Sequence, residues 1–196
     1  MRNPLQKRLG RELISDLGKY LVIFVFLAGL ISLVSGFLVA DNSMLAAYDE
    51  SFEKYQIEDG NFTLSQKADA SMLEQLETDQ DLHIYENFYI EETTKEVEST
   101  LRIFINRTEV DKVCLMDGSF PESTSEIAID RMYADNNDLT VGDTLTVGGK
   151  EMHISGLVAL SDYSALFSDP SDMMFDSIKF GVAIVTEETF DAFGDA

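Results

Sequence analysis

The sequence is poor in the residues from which most metal and nucleophilic sites are built. It has one cysteine, Cys114, and two histidines, His83 and His153. A single cysteine excludes an intramolecular disulfide, and the apolar neighbours of Cys114 predict a small core residue rather than a reactive thiol. The two histidines lie in separate predicted strands, which favours structural or surface roles over metal binding.

Basic residues are also scarce. The chain has 14 Lys and Arg against 36 Asp and Glu, and its net charge at pH 7 is −22. The charge is uneven, because the residues before Asp41 carry +3 and the remainder carries −25. The acidic part should repel nucleic acid and anionic headgroups, so we expect neither as its ligand.

Motifs that would indicate an enzyme or a cofactor site are missing or incomplete. There is no Gly-x-Ser-x-Gly sequence. Gly148-Gly149-Lys150 lacks the first glycine of a phosphate loop and is followed by Glu151, so we interpret it as a β-turn. Residues 135–138 resemble part of a calcium loop without its central Gly and closing Glu. We therefore expect no catalytic residue, cofactor or metal.

One long apolar run dominates the sequence. Residues 20–40 carry no charge, and as a helix they would span about 30 Å, the thickness of the hydrocarbon core of a bilayer. A cleaved signal peptide is the main alternative, but its apolar region is typically about 7–15 residues long and ends at a small-x-small site. Leu38-Val39-Ala40 has leucine at the outer position. The pattern therefore favours an uncleaved transmembrane helix.

The flanks of this run predict its orientation. Residues 1–19 have leucines at helical spacing with most basic residues on the other face, which predicts a cytoplasmic amphipathic helix at the membrane surface. By the positive-inside rule, the acidic part then lies outside the cell. Residues 41–56 continue the helical pattern without Pro or Gly and predict a stalk helix.

Small residues recur every four positions within the span, at Ala28, Ser32, Gly36 and Ala40. Such a stripe lets another membrane helix approach closely. Because small residues are common in membrane helices in any case, incidental composition is the alternative. We take the stripe as a candidate packing face.

Residues 57–196 alternate between strand and helix patterns and predict one mixed α/β domain of one or two lobes, so that the whole chain is α+β. The hairpin turn is expected at Gly148 and Gly149. The predicted strands are residues 61–64, 82–90, 101–105, a buried strand at 113–116, 126–130, 143–147, 150–156 and 180–185; the predicted helices are 68–76, 131–135 and one opening at Thr186. The last helix has barely two turns, which suggests that it is truncated.

Several segments in order resemble the FtsX-like or MacB-like permeases of ABC transporters, especially the many-span permeases of Gram-positive bacteria. After the amphipathic helix, span and stalk come Gly118-Ser-Phe-Pro121, Glu126-Ile-Ala-Ile129 and Leu139-Thr-Val-Gly-Asp-Thr-Leu145. Residues 172–176 and 180–188 resemble the return strand and helix of that family's external core domain. Gly118, Pro121, Gly142 and Asp143 would then be structural turn residues.

The resemblance implies a MacB-like core domain outside the plasma membrane of a bacterium. Its partners would be a separate cytoplasmic ABC ATPase, further permease spans or a second permease copy, and membrane lipid. The chain would be the N-terminal part of a permease that moves, or transmits force to, a lipid-linked or peptide cargo. A free-standing single-span binding or sensor protein is the main alternative, and a membrane-anchored hydrolase is a weaker one.

Overall fold

The computed structural model describes residues 14–64, 66–169 and 171–194. The chain divides into two compact units, Met1–Glu50 and Ser51–Ala196. Most of the predicted amphipathic helix, residues 1–13, lies outside the described residues.

A single long helix, α1 (Leu17–Tyr55), accounts for most of the described part of the first unit and continues into the second. Its apolar part is long and hydrophobic enough to cross a membrane, by length and composition. None of the 39 residues of α1 is buried. The helix ends one residue before the predicted end of the stalk, because Gln56 adopts a positive φ of 49° and the Ile57 N–H bonds back to the Phe52 carbonyl. This left-handed residue with a long backward bond is a common helix ending.

The second unit is built on a mixed seven-stranded sheet. Among the described residues of this unit, three short helices and one 3₁₀ turn accompany it. In chain order the elements are α2 (Ala70–Gln80), β1 (Ile90–Thr93), β2 (Thr100–Ile105), β3 (Cys114–Gly118), β4 (Glu126–Asp130), α3 (Arg131–Asn136), β5 (Thr144–Val147), β6 (Lys150–Ala159), the 3₁₀ turn Ser161–Tyr163, β7 (Phe180–Val185) and α4 (Glu187–Gly194).

The sheet curls into a closed ring. The strand order is β1-β2-β7-β4-β6-β3, and β5 also pairs with β6. The pairs β2–β7 and β4–β6 are parallel, whereas the other pairs are antiparallel. The end of β1 then meets β5 through a Thr94–Val147 bridge, with Gly148 N–H bonded to the Thr93 carbonyl at 2.9 Å. The closed ring therefore consists of six strands in the order β1-β2-β7-β4-β6-β5. The seventh strand, β3, pairs with β6 and lies outside the ring.

The core lies inside this ring. Strand β7 is buried along its whole length, and β4 is buried from Ile127 onward. Tyr133 of α3 and Phe193 of α4 also belong to the core. Burial of so many branched and aromatic side chains is the main force that holds a sheet closed.

The strands that pair on both edges agree best with the sequence prediction. The bounds of β4 and β7 coincide with the predicted ones. Two predictions were wrong: residues 61–64 form no strand, and of residues 82–90 only Ile90 joins one. Their alternating pattern finds no partner strand, and an extended segment without a ladder is not a strand.

Strand β3 also differs from its prediction. It was expected to be buried, but most of its residues are exposed and it pairs only with β6. A register shift between Leu115 and Asp117 bends it away from regular pairing, as is common in edge strands. The prediction of an α+β chain with one long apolar N-terminal helix is confirmed at that level, with a mixed sheet in the second unit.

Candidate functional site

The end of α1 is held by backbone hydrogen bonds to the loop between β2 and β3. The Tyr55 carbonyl accepts from the Lys112 N–H at 2.8 Å, and the Gln56 carbonyl accepts from the Asp111 N–H at 3.0 Å. Carbonyls in the last turn of a helix have no partner within the helix, so this neighbouring segment satisfies them. We call residues 55–58 together with residues 111–114 the helix anchor.

Side chains reinforce the helix anchor. The Tyr55 hydroxyl donates to the Cys114 Sγ at 2.9 Å. The Asp111 carboxylate accepts from the Glu58 N–H at 3.1 Å and from the Ser161 hydroxyl at 3.2 Å. Asp111 is buried, with 3% of its surface exposed. A buried carboxylate that accepts several hydrogen bonds holds its donors firmly, because breaking them would leave a charge unsolvated.

An arginine on the loop after β2 extends the helix anchor to the 3₁₀ turn. Arg107 makes two parallel hydrogen bonds to Asp162, at 2.9 and 2.7 Å, and lies 3.9 Å from the Asp111 carboxylate. Its guanidinium covers the Phe104 ring at 5.2 Å. The side chains of Arg107 and Asp162 are only 11% and 17% exposed. This geometry is the most specific that an ion pair can have, and it fixes the turn against β2.

A second arginine, Arg102 on β2, holds the irregular segment after the 3₁₀ turn. Its guanidinium donates to Glu91 at 2.6 and 2.9 Å, to the Tyr163 hydroxyl at 3.0 Å and to the Ser168 carbonyl at 2.8 Å. It also stacks over the Tyr89 ring at 4.4 Å. Arg102 therefore ties three separate segments to one strand.

The helix anchor concentrates negative charge. Burial, followed by the charges of Asp111 and Asp162, raises the pKa of Glu58, which the hydrogen bond from Asn61 partly offsets. Among residues 14–64, 66–169 and 171–194, no group of three His, Cys, Asp or Glu side chains could hold a metal ion.

The predicted packing stripe lies on α1 within the first unit. Ala28 is half-buried, whereas Ser32, Gly36 and Ala40 are exposed. A Cβ added at Gly36 would meet no other atom of the described chain within 4 Å. The stripe is therefore accessible to another helix, and its role stays a prediction.

The predicted turn residues lie at strand ends. Gly118 ends β3, and Pro121 is half-buried in the loop that leads to β4. Gly142 and Asp143 precede β5, where the Asp143 carboxylate accepts from the Thr140 N–H at 2.8 Å and its hydroxyl at 2.9 Å. These bonds lower the pKa of Asp143.

Two of the predicted glycines have a positive φ and close neighbours. Gly118 has φ of 71°, and a Cβ there would clash with the Ser155 carbonyl oxygen. Gly148, in the turn it shares with Gly149 between β5 and β6, has φ of 55°, and a Cβ added there would lie 2.6 Å from the Glu92 carboxylate. Both positions need glycine for conformation. Gly118 also needs it for space, because the atoms that a Cβ would meet there belong to the backbone.

Sequence reasoning missed the residues of the helix anchor. Tyr55 lies within residues 41–56, which were predicted only as a stalk helix, and Asp111, Arg107 and Asp162 were not singled out. The available signal was weak: Arg107 is an isolated cation in a polar stretch that follows a predicted strand. Nothing in that stretch indicated which carboxylate it would meet, because Asp162 is 55 residues away.

Comparisons with protein-family models, with curated proteins and with solved structures found no match to this chain.

Proposed function

We propose that this chain is the N-terminal part of an ABC transporter permease of the FtsX-like or MacB-like kind. In this proposal α1 crosses the plasma membrane of a bacterium, residues 1–19 lie in the cytoplasm, and the second unit lies outside the cell as a MacB-like core domain. A separate cytoplasmic ATPase supplies the energy, so the chain itself is not an enzyme. Its part is to couple motion of the membrane helix to the external domain, which acts on a lipid-linked or peptide cargo.

The helix anchor is the observation that carries this proposal. Helix α1 does not end in a flexible linker, because the two residues at its end, Tyr55 and Gln56, are bonded through their carbonyls to residues 111 and 112. A simple membrane tether requires no such attachment. A force-transmitting element requires it, since displacement of the helix must reach the domain without being absorbed in a loop.

The positions of the resembling motifs also support the proposal. Gly118-Ser-Phe-Pro121 forms the exit from β3, Glu126-Ile-Ala-Ile129 forms most of β4, and the segment up to Leu145 enters β5. The three motifs thus fall at consecutive structural steps around β6. The resemblance implies a turn, a strand and a hairpin entry in this order.

Affinity purification from the native membrane tests the proposal. The tagged chain is solubilised in mild detergent, and copurifying proteins are identified by mass spectrometry. We expect a P-loop ATPase together with further permease spans or a second permease copy. A tagged single-span protein of unrelated sequence serves as the control for nonspecific capture. Recovery of the chain without an ATPase would contradict the proposal and favour a free-standing single-span binding protein.

The orientation is tested separately by proteolysis. Protease added to intact protoplasts should digest the part of the chain after Asp41, because the basic residues before the span predict that this part lies outside. Permeabilised protoplasts provide the control for intrinsic resistance of the folded domain. Protection that is complete in intact protoplasts and lost after permeabilisation would contradict the orientation.

A further inference from the structure

Two methionines between the 3₁₀ turn and β7 are the most exposed large apolar side chains among the described residues. Met173 is 97% exposed and Met174 is 84% exposed, whereas the most exposed apolar side chain of α1, that of Met44, reaches 74%. We call residues 171–178 the methionine loop. Half of its residues are exposed and apolar: Met173, Met174, Phe175 and Ile178. A protruding apolar surface of this kind is typical of an interaction site.

The methionine loop is attached to the body of the second unit on both sides. Before the loop, Leu166 is buried and the Ser168 carbonyl accepts from Arg102 at 2.8 Å. Near the end of the loop, Ser177 is buried and its hydroxyl accepts from the side-chain amide of Asn136 at 2.6 Å. Because both sides are held, a partner that binds the loop has less conformational freedom to remove.

Aspartates in and beside the methionine loop hold its backbone. The Asp172 carboxylate accepts from the Ser168 hydroxyl at 2.7 Å and from the Asp169 N–H at 3.0 Å. The Asp176 carboxylate accepts from the Ile178 N–H at 3.1 Å. Bonds of this kind are typical of ordered turns. The polar groups of the loop therefore form its frame, and its methionines are the side chains that this frame presents to the surroundings.

The charge around the methionine loop has one sign. Residues 160–178 contain four Asp and no Lys or Arg. Lys179, which follows the loop, donates instead to the carbonyls of Val97 and Glu98, at 3.5 and 3.3 Å. A second copy of this chain, with its net charge of −22, and an anionic bilayer would both be repelled. The complementary occupant is a surface that combines an apolar pocket with positive charge.

We propose that the methionine loop docks a cationic protein partner, which receives Met173 and Met174 in an apolar pocket bordered by Lys or Arg side chains. Methionine suits this role because its unbranched thioether side chain adapts to pockets of different shape. The aspartates of the loop attract and orient the partner, and burial of the methionines keeps it bound. The inference rests on this loop and not on the transporter proposal.

Photo-crosslinking of the full chain in its native membrane tests this inference. The probe is p-benzoylphenylalanine in place of Ile178, which is exposed beside the two methionines and leaves them unchanged. Mass spectrometry then identifies the crosslinked molecule and the residues at the crosslink. We expect a protein whose crosslinked segment is apolar and flanked by Lys or Arg, and a yield that decreases when about 0.5 M salt screens the charges.

Two double variants distinguish docking by this loop from general stickiness. Met173→Ser with Met174→Ser should lower the crosslinking yield about tenfold, because it removes the side chains that the pocket buries. Met72→Ser with Met116→Ser removes two other exposed methionines and should leave the yield within about twofold, since surface changes away from an interface have small effects.

Four outcomes would overturn the inference. They are a crosslink to lipid or to a second copy of this chain, a crosslink to a protein segment without Lys or Arg, the absence of any crosslink from position 178, and equal yields in the two double variants.

Discussion

The two units of this chain use the same apolar residue types in opposite ways. Ile31 on α1 is 66% exposed, whereas Ile184 on β7 is fully buried among other apolar side chains. The second unit covers its apolar strands with its own residues, by closing a sheet around them. Helix α1 offers apolar side chains on every side, so it requires an apolar surrounding that its own residues do not supply. That contrast is the physical basis for treating α1 as a membrane span.

The units also differ in how they use carboxylates. The apolar part of α1 has none between residues 20 and 40. In the second unit many carboxylates have structural roles: Asp130 accepts from the Met132 and Tyr133 N–H groups at the start of α3, and Asp169 accepts from the Ser171 N–H and hydroxyl. Part of the acidity of this unit therefore stabilises turns and helix ends.

Truncation of one isoleucine in each unit should give the largest difference. Ile184→Ala leaves a cavity in a closed core and should lower the free energy of unfolding of the second unit by about 2–5 kcal/mol. Ile31→Ala removes the same atoms from an exposed position on α1 and should change that free energy by less than about 0.5 kcal/mol. Urea titration of the full chain in detergent, followed by pulse proteolysis, measures both. Equal losses of free energy in the two variants would contradict the view that Ile184 lies in a closed core and Ile31 on an exposed helix face.

Loss of the Arg107–Asp162 pair should have the next largest effect. Asp162→Asn weakens a bidentate pair in which both side chains are mostly buried, and should cost about 1–3 kcal/mol. The matched control is Asp135→Asn, which removes the exposed pair with Arg131 and should cost less than about 0.5 kcal/mol. The same titration compares the two variants. If Asp135→Asn lowered the free energy of unfolding as much as Asp162→Asn, the prediction that the buried pair contributes more stability would be wrong.

Acid should destabilise the second unit before it affects α1. Hydrogen bonds from Thr146 lower the pKa of Glu96, and those from Thr140 lower the pKa of Asp143. These groups add stability above their ordinary values of 4.5 and 3.8, and this stability is lost as the pH falls through the lowered values. We expect the urea concentration at the unfolding midpoint of the second unit to decrease once the pH is lower than about 4. The helical circular dichroism of α1 should persist under the same conditions.

Replacement of the carboxylate checks the cause of that acid effect. Glu96→Gln removes the titrating group that accepts from the Thr146 N–H and hydroxyl, so the urea midpoint should fall less steeply with acid than in the natural chain. An equally steep fall would show that other groups dominate the acid response.

The small-residue stripe should give the smallest effect. Gly36→Leu places a bulky side chain on the proposed packing face and should weaken association with a neighbouring span by about 1 kcal/mol, a typical size for helix contacts in membranes. Leu33→Ala, also on α1, should have a smaller effect. Resonance energy transfer between labelled chains in bilayers, or recovery of copurifying spans, measures the difference. Equal effects of the two variants would remove the stripe as a packing face.

The sequence by itself determined the features that depend on local pattern. An uncharged run from residue 20 to 40 can only be stable where its backbone bonds are internal and its surroundings apolar, which predicts a helix of membrane length. Short apolar runs likewise predicted the bounds of β4 and β7, and turn glycines predicted the hairpin at Gly148 and Gly149. Each of these depends on neighbours within a few residues.

Tertiary structure decided which extended segments became strands and where the charged side chains met. Residues 61–64 and 82–89 alternate as strands do, yet they remain unpaired because the sheet closes without them through Thr94 and Val147. The helix anchor joins Tyr55 to Lys112, and a bidentate ion pair joins Arg107 to Asp162. Such contacts bring together residues more than 50 positions apart. Local propensity carries no information about them, since only the closure of the whole sheet fixes the partners.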